Sequence, residues 1–246
     1  MKEGDRVFWM AEGAYAEYSA MPAGKAAKLP EGIPKKIGAA ALLQGLTALT
    51  LIRESHHVKK GDWVLVHAAA GGVGLWLCQL LKAVGANTIG TASTQEKVDA
   101  ATKAGATHMI NYSKDDVKSK VMELTDNKGV IAVFDGVGKS TFDVSLECVA
   151  RLGSLISFGN ASGAPDPLTI ARLSPKNLRL MRPTLFNYLV TPEEWKHWTG
   201  ELLDVLQKND IDVNIHEVYP LSEAKRAQDD LEARKTSGKL LLDPSK

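Results

Sequence analysis

Apolar positions recur along the chain in two rhythms, short unbroken runs and longer stretches of helical period, and their alternation predicts most of the architecture. Trp63-Val64-Leu65-Val66 is a short run of the kind that forms a buried strand. A cluster of alanine and glycine follows it. From Leu75 to Val84 the period becomes helical, with Leu77, Leu80, Leu81 and Val84 on one face and Val73 just ahead of them. The same sequence of strand, turn and helix returns downstream. Strands are predicted at 87–91, 108–111, 130–135, 154–158 and 178–181, and helices at 95–104, 115–124 and 141–150. Ser93 with Glu96 has capping-box spacing, and Gly105 stands where a helix would close. Strands alternating with crossovers of helical length mean a parallel, doubly wound sheet.

The chain ends follow a different pattern. Residues 4–10 and 13–20 read as two short strands, a connector rich in proline runs to Pro34, and 37–52 is a helix rich in alanine and leucine. Beyond Arg182-Pro183 come a helix over 192–207, a strand over 212–219, a charged amphipathic helix over 222–234 and a last strand over 239–242. Two short strands bury no core of their own. Both ends are therefore expected to combine in a second lobe, giving an α/β protein with a doubly wound (Rossmann) parallel sheet and a smaller β-rich lobe formed from both chain ends.

Composition narrows the function. The chain has 246 residues, 44% of them hydrophobic, enough for one core and a smaller lobe. Its 30 basic and 29 acidic side chains nearly cancel, so no global charge draws it to nucleic acid or to an anionic membrane. Lys35-Lys36 and Lys59-Lys60 are isolated pairs, which read as solvated lysines before they read as an RNA-binding stripe. No apolar run is expected to approach membrane-spanning length, and the cytoplasm is the expected location. Cys78 and Cys148 lie in apolar helical patterns, as core thiols do, and two cysteines cannot build a structural zinc cluster. His56 and His57 are adjacent, so they point apart on any regular element, and no metal site is expected.

The candidate chemistry sits at the turn after the Trp63 strand. Ala69, Gly71 and Gly74 occupy the three small positions of G-x-G-x-x-G, where a tight turn, a pyrophosphate and a close strand–helix contact each require a small residue. Gly72 and Val73 open the helix, whose unpaired N–H groups and partial positive charge suit phosphate. Sites that prefer NAD place an acid at the end of the second strand; here that stretch is Gly90-Thr91-Ala92-Ser93-Thr94, which leaves room for a 2′-phosphate. Lys97 could neutralise that phosphate or be an ordinary surface lysine, and Tyr112 could flank the adenosine or cap the core edge. The missing acid together with Lys97 favours NADPH. Asp135-Gly136-Val137-Gly138 and the turn from Phe158 through Gly159, Asn160 and Ser162 to Gly163 end later strands, where glycine either lets backbone amides approach a flat ring such as nicotinamide or simply lets the strands turn.

The motifs HAAAGGVG at 67–74, INYSKDD at 110–116, SFGNASG at 157–163, LSPKN at 173–177 and RP at 182–183 resemble the NADPH-dependent quinone oxidoreductases of the zeta-crystallin type. These are zinc-free members of the medium-chain dehydrogenase/reductase superfamily, and the likeness runs through essentially the whole chain. The resemblance implies a homodimeric enzyme that moves hydride from NADPH to quinones, or to enones such as 2-alkenals; RNA binding is known for some such proteins. It implies a remainder of the catalytic, GroES-like lobe over 1–42, a dinucleotide-binding domain over 43–184 and a return to the catalytic lobe over 185–246. It places Gly71, Gly72 and Val73 at the pyrophosphate, and Thr91, Lys97 and Tyr112 around the adenosine ribose phosphate. Val137, Phe158, Gly159 and Asn160 would line the cofactor cleft with Arg182 nearby, and Thr47 would lie near the nicotinamide as the catalytic-side residue. Gly136 departs from the family's usual serine. The chain also begins within the family's first lobe, so the opening strands of that lobe are expected to be missing, with impaired turnover, or cofactor binding without turnover, as the consequence.

Overall fold

The computed structural model describes residues 1–208, 211–233 and 236–245. Two compact units emerge, Ala48–Asn187 and, from both chain ends, Met1–Thr47 with Tyr188–Lys246. The family resemblance implies divisions after residues 42 and 184.

In the unit made from the chain ends, β1 (Val7–Trp9) pairs antiparallel with β2 (Ala26–Lys28), Phe8 facing Ala27. The predicted strand over 13–20 does not form. Its alternation sets Tyr15, Glu17 and Ser19 against Ala16, Tyr18 and Ala20, and with Tyr15 61% and Tyr18 90% exposed neither face is buried to fix a register. Arg6 ties the pair to the following loop by donating to the carbonyls of Glu31 (3.1 Å) and Ile33 (2.6 Å).

Helix α1 (Lys35–Thr50) continues through one wider turn, Leu51–Ser55, closed by the His56 N–H on the Leu51 carbonyl at 3.0 Å. Contrary to the sequence expectation, the combined Lys35–Ser55 segment is long and apolar enough to cross a membrane by length and composition. Yet 61% of its apolar window is buried, the behaviour of a core helix.

The Ala48–Asn187 unit is built on six parallel strands: β3 (Trp63–Val66), β4 (Asn87–Ala92), β5 (His108–Asn111), β6 (Val130–Asp135), β7 (Val149–Ser157) and β8 (Arg179–Met181). Between them run α2 (Gly72–Val84), α3 (Gln95–Lys103), α4 (Val117–Leu124) and α5 (Phe142–Cys148). The sheet order is β5-β4-β3-β6-β7-β8, so the winding reverses between β3 and β6. Open α/β sheets leave a crevice for ligands at the carboxyl ends of the strands where that reversal occurs. Leu65, Ile89, Val133 and Leu155 from four strands, with Val121, Phe142 and Leu146 from the helices, form the buried centre.

Helix α2 is buried on more than the predicted face: Leu75, Trp76 and Cys78 are as enclosed as Leu77, Leu80 and Leu81. Gly85 closes it in the left-handed conformation, φ 83°. Helix α5 is shorter than its pattern, because Val149 is already extended and enters β7 through a bulge opposite Val130 and Ala132.

The chain-end unit resumes with α6 (Pro192–Lys208), which buries Trp195, Trp198, Leu202 and Val205. Its start is a reciprocal capping box: the Thr191 hydroxyl accepts from the Glu194 N–H at 3.2 Å, and the Glu194 carboxylate accepts from the Thr191 N–H at 2.9 Å. Strands β9 (Ile215–Pro220) and β10 (Lys239–Asp243) pair in parallel, joined through α7 (Ala224–Glu232). The predicted end of that helix at Arg234 lies outside the described residues. Tyr219, fully buried, donates to Asp230 at 3.0 Å and carries the Arg226 guanidinium 4.3 Å over its ring.

Candidate functional site: a dinucleotide crevice

The turn between β3 and α2 is held from both neighbouring strands. His67 N–H donates to the Phe134 carbonyl at 3.1 Å on the β6 side, and Ala69 N–H to the Thr91 carbonyl at 3.0 Å on the β4 side. Ala68 takes φ 51°, a strained value for a residue with a Cβ, and the bend closes with Gly71 N–H on the Ala68 carbonyl at 2.8 Å. A Cβ on Gly74 would lie 2.7 Å from the Ala69 carbonyl oxygen and closer still to that of Ala68. A Cβ on Gly90 would meet that of Ala69 at 2.7 Å. The small residues are therefore demanded by backbone packing, as the fingerprint requires.

At the head of α2 the N-cap is Gly71, which is exposed and offers no side chain to the first turn. The leading N–H groups of a helix have no partner within it, so Gly72, Val73 and Gly74 present donors and the positive end of the helix dipole. A phosphate fits there, because a cap made of backbone alone leaves room for an anion.

The adenosine side differs in detail from the sequence picture. Thr91 is 1% exposed, and its hydroxyl serves the turn, lying 3.1 Å from His67 Nδ1 and accepting from Ala68 N–H at 3.3 Å. The cap of α3 is Thr94, whose hydroxyl accepts from Lys97 N–H at 3.3 Å; the predicted Ser93–Glu96 box is displaced by one residue, because Thr94 is the last extended residue before the helix. Lys97 thus stands in the first turn of α3. Tyr112 follows β5, 54% exposed, with its N–H on the Ala92 carbonyl at 3.1 Å. The Ser113 hydroxyl donates to the Ser93 carbonyl at 2.9 Å, so the ends of β4 and β5 share one rim.

On the other side of the reversal, the turns after β6 and β7 are fastened into one platform. Phe158 N–H donates to the Asp135 carbonyl, and Ser162 donates to the Val137 carbonyl through both its N–H and its hydroxyl, each at 2.8 Å. A Cβ on Gly159 would lie 2.9 Å from the Cα of Gly136, and one on Gly136 would touch the Phe158 ring at 2.8 Å. Arg182 pulls the second turn inward. Its Nη1 donates to the carbonyls of Ser157 (2.9 Å) and Gly159 (3.0 Å) and to Asn160 Oδ1 (3.1 Å).

Sequence reasoning missed the group at the centre of this platform. Asp135 is fully buried, and its carboxylate accepts from Val137 N–H, Gly138 N–H and the hydroxyls of Thr141 and Ser145. The signal was present: an aspartate ending a strand just before Gly-x-Gly is an Asx-turn arrangement. Near it lies His67, 3% exposed, whose Nε2 has no partner. Burial holds the His67 imidazole below its ordinary pKa, with the Asp135 charge opposing. Both thiols are inert, Cys78 and Cys148 each pushed up to about 12 by burial. Thr47 belongs to the chain-end unit, on α1, half-buried, with its hydroxyl on the Leu43 carbonyl at 2.7 Å.

Comparison with known proteins decides the family. The zinc-binding dehydrogenase family model matches residues 72–204. A probable quinone oxidoreductase of Schizosaccharomyces pombe is 46% identical over 242 residues, covering 98% of this chain and 73% of that protein. The crystal structure of Escherichia coli quinone oxidoreductase complexed with NADPH superposes with a TM-score of 0.95 at 42% identity, covering 99% of this chain and 76% of that one.

This chain belongs to the quinone oxidoreductase family.

A 2-haloacrylate reductase from a Burkholderia species is also similar, 36% identical over 94% of this chain and 71% of its own length. The family is a zinc-free branch of the medium-chain dehydrogenase/reductase superfamily, although the matching model carries zinc in its description. Among the described residues, no three His, Cys, Asp or Glu side chains gather as metal ligands.

Proposed function

We propose that this chain is an NADPH-dependent quinone reductase. The observation that carries the cofactor is the α2 N-terminus, capped only by the backbone of Gly71, behind a turn whose Gly74 position admits no Cβ. When bound, NADPH supplies the hydride. Gly72, Val73 and Gly74 hold the pyrophosphate by N–H donation, with Gly71 leaving room for it at the cap and Ala69 setting the bend. Lys97 and Tyr112, on the rim of β4 and β5, take the 2′-phosphate and the adenine face. Thr91 acts one step back, by fixing Ala68 and His67.

The platform of Val137, Phe158, Gly159, Asn160 and Ser162, drawn in by Arg182, is the surface for the nicotinamide half. Its work is orientation and exclusion of water, since hydride transfer asks for no acid–base side chain on the protein. The reduced quinone oxygen takes its proton from solvent. Thr47 enters through the resemblance of its Gly-Leu-Thr segment alone. The quinone acceptor rests on relatives named quinone oxidoreductase at 42–46% identity.

Steady NADPH oxidation with a simple ortho-quinone, faster than with NADH, is the expected result; silence with every quinone and enone would refute it. The Burkholderia relative favours a second reading, reduction of the carbon–carbon double bond of enones, which the same assay separates by acceptor. We further propose a homodimer acting in the cytoplasm. The edge strand β8 has Leu180 and Met181 38% exposed, and an open sheet edge invites pairing. Light scattering in solution tests the dimer.

A further inference from the structure

We infer that Asp135 is a positioning residue for hydride transfer, fixing through its buried carboxylate the shape of the platform that receives the nicotinamide half of the cofactor. The inference rests on the NADPH reading above. Asp135 Oδ1 accepts from Val137 N–H at 2.8 Å and from Gly138 N–H at 3.1 Å, Oδ2 accepts from the Ser145 hydroxyl at 2.8 Å, and the Thr141 hydroxyl lies 2.8 Å from both oxygens. Four donors from β6's own turn and from the start of α5 thus converge on one side chain that is 0% exposed.

A turn needs none of this. Exposed turns are closed by a single Asx bond at no desolvation cost, whereas a buried carboxylate is tolerated only when its lone pairs are filled. Here the shape is passed on. The Val137 carbonyl, oriented by the N–H groups that Asp135 holds, accepts both bonds from Ser162, and the Ser162 hydroxyl in turn accepts from Ser140 N–H at 3.0 Å. The Asp135 carbonyl takes Phe158 N–H at 2.8 Å, and Gly159 packs backbone to backbone on Gly136. One side chain therefore sets the backbone of two turns, Gly136–Gly138 and Phe158–Gly163. In a doubly wound sheet the β3-β4-β5 half takes the adenosine and the β6-β7-β8 half the nicotinamide. Asp135 stands on the nicotinamide half, and His67 is the titratable group beside it.

The test compares NADPH with 2′,5′-ADP, which contains only the adenosine half, on the full chain. In Asp135→Ala, NADPH affinity and kcat with quinone are each expected to fall about tenfold or more, with 2′,5′-ADP affinity held within about twofold. Asp135→Asn should restore most of both, because its carbonyl oxygen can accept the two N–H bonds while its amide donates to the Thr141 and Ser145 hydroxyls, which can turn. Ser145→Ala, a milder cut of the same network, should show the same pattern at smaller size and serves if the alanine variant does not fold. Loss of 2′,5′-ADP and NADPH in equal proportion, or unchanged NADPH binding and kcat in Asp135→Ala, would overturn the assignment. Wild-type protein that takes up neither ligand would instead remove the dinucleotide reading itself.

Discussion

Gly74 gives the sharpest test of the crevice, because the structure sets two effects of a single methyl group against each other. Alanine is the better helix former by about 1 kcal/mol, so Gly74→Ala at an indifferent place in α2 would stabilise. At this place the new Cβ would stand 2.7 Å from the Ala69 carbonyl oxygen, 2.8 Å from the Ala69 carbonyl carbon, and closer still to the Ala68 oxygen. Ordinary carbon–oxygen contact lies near 3.4 Å, so the head of α2 must move off the turn by roughly 0.7 Å or more. Overpacking of this kind costs about 1–3 kcal/mol, which outweighs the helical gain. Less the helical gain, the net loss is up to about 2 kcal/mol, which for a chain of this size is a fall in Tm of up to roughly 8 °C. Because the moving parts are the N–H groups of Gly72, Val73 and Gly74, NADPH affinity should fall about tenfold as well, near 1.4 kcal/mol. Gly200→Ala in α6 is the control, since nothing stands within 4 Å of its added Cβ; it should raise Tm slightly and leave affinity alone. Thermal melts and calorimetric titration with NADPH measure both quantities. A Gly74→Ala protein with unchanged Tm and unchanged affinity would refute the claim that close backbone packing shapes the phosphate site.

Lys97→Ala should weaken NADPH by about tenfold and leave NADH within about twofold, if Lys97 carries the 2′-phosphate; equal loss of both cofactors in titration would point to a structural role. Gly159→Ala should cost about 1–3 kcal/mol, because its Cβ meets the backbone of Gly136, while Gly136→Ser should cost less than about 1 kcal/mol, because only the tip of the Phe158 ring has to swing; urea melts rank the two. His67 is held neutral in the fold by burial, so its folded pKa lies below the ordinary 6.5. The unfolded chain then binds the extra proton first, and stability present above pH 6.5 is lost as pH falls toward the folded pKa, by up to about 1.4 kcal/mol per pH unit. Half-buried His56, also lowered by burial, adds a weaker effect of the same sign. His67→Gln should flatten the slope of Tm against pH in that window, and an unchanged slope would rule His67 out as its source.

Much of the nucleotide-binding unit was legible in the chain because local rules and the global fold agree. The unbroken apolar runs Trp63–Val66 and Val130–Phe134 lie in strands buried largely on both faces, and the strand bounds Trp63–Val66 and Val130–Asp135 are those the pattern predicts. The small residues at 69, 71 and 74 announce a contact between a strand and a helix that are neighbours in sequence. Where agreement failed, the cause was non-local. The alternation over 13–20 is a fair strand pattern, but Ala26–Lys28 takes the place beside β1. The α1 segment looks long and apolar because it is buried within the protein.

Sequence therefore determined the parallel, doubly wound sheet and the fingerprint turn, since each depends on contacts within a few residues or on period alone, whereas the place where the winding reverses, between β3 and β6, was decided by tertiary structure. Tertiary structure decided what the polar side chains do. Thr91 faces inward to hold His67 and Ala68, Arg182 gathers three acceptors that lie more than 20 residues away, and Asp135 joins two turns that no sequence spacing relates. The physical reason is that a polar group buried on folding must find its partners wherever the packed backbone supplies them, and those partners are fixed only once the strands are side by side.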